Sequence, residues 1–128
     1  MNKLHKILCV EDDPDIRMIL DLALSKLGGF QICLAEDASE ALKQLDGFKP
    51  DLLLLDLMLP GMTGLELFSQ IRSRQEYIDL PAILLTAKLC QETPAEYTQP
   101  GMLGVIAKPF DPVALVDQIQ GLYSSNAG

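Results

Sequence analysis

In this 128-residue chain, side chains capable of chemistry stand where short apolar runs break off. Glu11 and Asp12 follow the run at 7–10, Asp56 follows four leucines at 52–55, Thr86 ends 82–86, and Lys108 follows 103–107. An ionised carboxylate at the edge of an apolar run is costly unless something pairs with it. Three carboxylates brought within ~5 Å of one another repel by about 3 kcal/mol per pair at an effective dielectric near 20. Lys108 supplies one positive charge. A hard divalent ion with oxygen ligands, Mg2+ for choice, supplies two more and keeps several of its waters. Each residue also has a plainer reading. Asp56 can be a strand end facing water, Thr86 a hydroxyl serving loop amides, Lys108 a surface lysine, and Asp13 is accounted for as a helix cap. The joint pattern of acids, hydroxyl and cation, at the ends of different strands, carries the weight.

The elements that must position these residues follow from periodicity. Residues 7–10 read as a buried strand. Asp13-Pro14 opens a helix with Ile16, Ile19, Leu20, Ala23, Leu24 and Leu27 inward, stopped by Gly28-Gly29. Residues 30–34 are a second strand, and Asp37 with Glu40 caps a helix carrying Ala38, Ala41, Leu42 and Leu45. The continuous apolar run 52–55 is of the kind buried on both faces in a parallel sheet. A third helix starts at Gly64 and runs to about Arg74. Pro81 introduces strand 82–86, residues 103–107 form another strand, and Asp111-Pro112 caps a last helix with Leu115, Val116, Ile119, Leu122 and Tyr123 inward. Strict alternation implies a doubly wound α/β domain, a five-stranded parallel sheet with helices on both faces. Its ligands sit beyond the carboxyl ends of the strands. Between strands four and five, Thr93-Pro94-Ala95-Glu96 starts and Pro100-Gly101 stops a fourth helix of about two turns at most, so that helix is short or irregular.

These residues resemble the receiver domain of response regulators in two-component signalling, of the stand-alone, chemotaxis-regulator type with a flavodoxin-like fold. The landmarks are ILCVEDDPDIR, DLLLLDLMLPGMTGLEL, ILLTAK and VIAKPF, and the match runs from Ile7 to Tyr123. The resemblance implies that Asp56 accepts a phosphoryl group, that Asp12 binds Mg2+ directly, and that Glu11 helps through water. It implies that the main-chain carbonyl of Met58 completes the metal site, that Thr86 and Lys108 contact phosphoryl oxygens, and that the Lys108-Pro109 bond is cis. The donor is a phosphohistidine on a sensor histidine kinase or histidine phosphotransfer protein. His5, the chain's one histidine, lies before the first strand with nothing around it to suggest a donor. Where the family has Tyr or Phe three residues before the lysine, this chain has Val105, which has no ring to swing inward. Switching is therefore expected to involve residues 87–104 instead.

Other functions fit less well. A receiver-like module that binds partners without phosphorylation remains open. An aspartyl-nucleophile Mg2+ phosphohydrolase is disfavoured because a second Asp two residues after the nucleophile is here Met58. Glu11-Asp12-Asp13 lacks the glycines of a dinucleotide-binding turn. A net charge of −8 argues against direct nucleic-acid binding. No apolar run approaches a membrane span or a signal-peptide core. Cys9, Cys33 and Cys90 are scattered, which suits reduced thiols in a cytoplasmic protein. The expected organisation is one receiver domain over residues 1–124 and a flexible polar tail at 125–128.

Overall fold

The computed structural model describes residues 3–87, 97 and 99–126. In chain order the elements are β1 (Lys6–Val10), α1 (Pro14–Leu20) continuing as a wider π-helical stretch (Asp21–Leu27), β2 (Gln31–Ala35), α2 (Ala38–Phe48) and β3 (Leu52–Asp56). A two-residue ribbon, β4 (Met58–Leu59) with β5 (Met62–Thr63), leads to α3 (Gly64–Arg72); β6 (Ala82–Thr86), β7 (Met102–Ala107) and α4 (Pro112–Asn126) complete the chain. The strands of the main sheet are parallel in the order β2-β1-β3-β6-β7. The chain reverses its direction of travel at β1, so β1 and β3 flank the switch point where such sheets open a crevice.

Alternation along the strands sorts the core into two layers. Leu8, Val10, Leu53, Leu55 and Leu84 pack with Ala41 and Leu45 of α2 and Leu67, Phe68 and Ile71 of α3. On the other face Ile7, Cys9, Leu52, Leu54, Ile83 and Leu85 pack with Leu20, Ala23 and Leu24 of the first helix and Leu115 and Ile119 of α4. Every residue of β3 and β6 is buried, as the unbroken apolar runs require.

Side chains expected to cap helices do so. Asp13 accepts from the amide of Asp15 at 2.8 Å, Asp37 from that of Glu40 at 2.8 Å, and Asp111 from that of Val113 at 3.1 Å.

Two inward assignments change. Ile19 is 37% exposed and Leu27 55% exposed. The reason for Leu27 is the helix itself. From Asp21 on, the turn widens, the Gly28 amide donating to Ala23 five residues back at 2.9 Å, so a 3.6-residue period no longer carries Leu27 to the core. At the other end α4 runs on to Asn126, through residues read from sequence as tail. The helix start at Thr93-Pro94-Ala95-Glu96 lies outside the described residues. Gly101 has a φ of 90°, the left-handed turn conformation its type permits.

Candidate functional site

Register alone assembles the site. Val10 pairs with Leu55, so the next residues, Glu11 and Asp56, leave adjacent strands side by side. Asp56 pairs with Leu85, placing Thr86 one strand further, and Thr86 pairs with Ala107, placing Lys108 beyond it. Backbone bonds extend the sheet past the strands: the Glu11 amide donates to Ala35 at 3.0 Å and the Lys108 amide to Thr86 at 2.8 Å. Sequence-distant residues thus meet at one edge.

Glu11, Asp12 and Asp56 each offer a carboxylate oxygen, all within 4.8 Å of one another. Glu11 is fully buried, Asp56 is 6% exposed, and Asp12 faces solvent. The Lys108 Nζ reaches both inner acids, 2.5 Å from Glu11 and 3.2 Å from Asp56. Burial pushes the Glu11 carboxyl up to about 7, and the Asp56 side chain hydrogen-bonded to it adds to the rise while Lys108 opposes it. Burial works against the Lys108 ammonium, but its hydrogen bond and attraction to Glu11 and its attraction to Asp56 hold its pKa above the usual lysine value. Among the described residues, one cation set against three acids leaves the cluster short of positive charge. The donor set suits Mg2+: all oxygen, compact, and with Asp12 on the solvent side, where ion-bound water can remain.

Thr86 is buried beside this cluster at 4% exposure. The Met58 amide donates to Asp56 Oδ1 at 3.3 Å, and its side chain is 70% exposed. The Lys108–Pro109 peptide is cis. Val105 is half-buried against the core layer of α2 and α3.

Some contacts that shape the site go beyond the sequence reading, which takes Gly64 only as the start of a helix. A Cβ on Gly64 would lie 2.4 Å from the Asp56 carbonyl oxygen, so only glycine lets α3 start against the backbone of Asp56. Thr63 and Glu66 form a capping box, each accepting the other's backbone amide at 3.1 Å. The spacing Thr-x-x-Glu is a readable signal for it. Arg17 donates to the Glu11 main-chain carbonyl at 2.8 Å, a contact across six residues that no periodicity announces.

The model of the family described as the response regulator receiver domain matches residues 7–120. The chain belongs to that family. This receiver is 37% identical over 118 residues to the phosphate regulon transcriptional regulatory protein PhoB of Escherichia coli (strain K12), a match covering 92% of the chain and 51% of that protein. It therefore spans about half the length of such relatives. Among solved structures, the chemotaxis response regulator CheY4 of Vibrio cholerae superposes with a TM-score of 0.84 at 29% identity, covering 94% of this receiver and 99% of that chain. The response regulator TrrA of Thermotoga maritima, solved in complex with Mg(2+)-BeF, gives a TM-score of 0.76 at 32% identity, covering 93% and 99%. The flavodoxin-like α/β fold expected from sequence is the one observed. Receiver domains are signalling domains of two-component systems, phosphorylation and Mg2+ are standard for the family, and no helix among the described residues is long and apolar enough to cross a membrane.

Proposed function

We propose that this receiver takes a phosphoryl group from a partner phosphohistidine onto Asp56 and signals through altered protein contacts. The observation that carries the reading is Asp56 itself, nearly buried at a strand tip between a buried acid and the Lys108 ammonium 3.2 Å away. A carboxylate there is paired with the cation and still lies at the edge where the strands end.

Glu11, Asp12, Asp56 and the Met58 main-chain carbonyl would hold Mg2+, Glu11 through water. When bound, that ion supplies charge neutralisation at the transferring group. An Asp56 oxygen attacks phosphorus in line, the P–N bond to the partner's imidazole breaks, and the imidazole leaves with the bonding electron pair. Lys108 then transfers its pairing to the phosphoryl oxygens, and Thr86 offers its hydroxyl to them. The product, an acyl phosphate, is open to slow hydrolysis, so the protein catalyses its own phosphorylation and dephosphorylation only. A histidine kinase or histidine phosphotransfer protein is the donor, in the cytoplasm. The net charge of −8 favours a protein as the downstream target over direct contact with nucleic acid.

Intact mass after incubation with acetyl phosphate and Mg2+ tests this. One added phosphoryl group on the wild type and none on a folded Asp56→Asn variant is the expected result. An unmodified wild type favours a module that binds without phosphorylation. A Mg2+-dependent label on Asp56→Asn refutes Asp56.

A further inference from the structure

Arg17 stands at one side of the acidic edge without belonging to it. Its Nη1 donates to the Glu11 carbonyl at 2.8 Å, and its Nη2 lies 3.9 Å from a carboxylate oxygen of Glu36. Glu36 follows Ala35, the residue whose carbonyl accepts the Glu11 amide at 3.0 Å. Both backbone polar groups of Glu11 are thus held, one by the neighbouring strand and one by a guanidinium. The carbonyl that Arg17 grips belongs to the peptide joining Glu11 to Asp12. Fixing that peptide plane fixes the direction in which both side chains leave the backbone. The Arg17 side chain is 21% exposed, so its charge-assisted bond is only partly open to competition from water.

We infer that Arg17 is a positioning residue for the metal-binding acids, holding the Glu11–Asp12 peptide so that the two carboxylates converge with that of Asp56. The inference rests on the proposed Mg2+ site. Outer partners that orient ligands change metal affinity by about 10–100-fold when removed. A merely structural arginine would instead lower stability and leave affinity alone.

Mg2+ titration by calorimetry on the whole chain, alongside thermal melts of the metal-free protein, separates these roles. Arg17→Ala is expected to bind Mg2+ about 10–100-fold more weakly than wild type. Affinity equal to wild type, whatever the change in melting temperature, overturns the inference. Should Arg17→Ala fail to fold, Arg17→Met decides: it keeps an aliphatic stem for packing but has no donor for the Glu11 carbonyl, and wild-type affinity there overturns the inference as well. A wild type that binds no Mg2+ overturns the site reading beneath it, a result distinguishable from equal binding by wild type and variant.

Discussion

The two ends of the sheet treat their carboxylates in opposite ways. At the amino ends of the strands, Asp51 accepts the backbone amides of both His5 and Lys6 at 3.0 Å, tying the entry of β1 to that of β3. Nearby, Asp46 accepts the Tyr77 hydroxyl at 2.8 Å and pairs with Arg74 at 3.3 Å. A groove of about 890 Å3 opens at this end, lined by Asp46, Asp51, Arg72 and Tyr77 among others, away from the acidic cluster. At the carboxyl ends, Glu11, Asp12 and Asp56 crowd together, and among the described residues Lys108 alone reaches the two inner acids. Acids at one end are used to hold the chain. At the other they are kept in conflict, and a conflict of like charges is what a bound cation relieves. The contrast teaches that unbalanced charge, rather than the presence of a groove, marks the candidate site.

Breaking the satisfied end should cost most. Asp51→Ala leaves two amides without their acceptor, one of them half-buried, and should lower unfolding free energy by about 2 kcal/mol. Denaturant titration would show a lower midpoint at an unchanged slope, and the Mg2+-dependent stabilisation should stay as in wild type. A reduced response to Mg2+ would mean the two ends are not independent.

Tyr77→Phe removes a hydroxyl that donates to Asp46 at 2.8 Å, with the Leu45 carbonyl at 3.4 Å, and should cost about 1 kcal/mol at neutral pH. Burial first, and the hydrogen bond to Asp46 second, push the Tyr77 phenol up to about 12 from an ordinary value near 10. A folded pKa above the unfolded one favours the protonated form in the native state. The associated stability is therefore complete below about pH 10 and is lost as pH rises from there toward 12. Stability followed across that window should fall more steeply for wild type than for Tyr77→Phe. Parallel curves would mean that Tyr77 does not titrate in this way.

Much of this contrast is legible in the sequence, for a physical reason. Where buried strands end in charge, as at Glu11, Asp56 and Lys108, parallel pairing leaves the charged residues no place except one shared edge. The caps Asp13, Asp37 and Asp111 are legible for a similar reason, since a short acceptor before a helical pattern has few other uses. Leu27 was misplaced because the pattern Leu20, Leu24, Leu27 fits an ordinary helix equally well. The close of that helix is decided in three dimensions, where Phe30 donates to the Leu24 carbonyl at 2.9 Å and a Cβ on Gly28 would meet the same oxygen at 2.9 Å. The role of Arg17, and that of Gly64 beyond starting a helix, are not legible because each acts on a backbone carbonyl, of Glu11 and of Asp56, and such contacts leave no trace in residue spacing. The Thr63–Glu66 box was readable and would have placed the start of α3 against the site.

The conflict at the acidic end has a signature of opposite sign from the rest. Asp12→Ala removes the exposed acid of the three and should slightly raise the stability of the metal-free protein by relieving repulsion. The same change removes a group proposed to hold Mg2+, so the stabilisation that wild type gains from the ion should largely vanish. Thermal melts of wild type and Asp12→Ala, each with and without Mg2+, measure both effects at once. The account predicts that the variant melts higher than wild type without the ion and gains little from adding it. A variant that melts lower without Mg2+, yet rises with it as much as wild type does, would contradict the account.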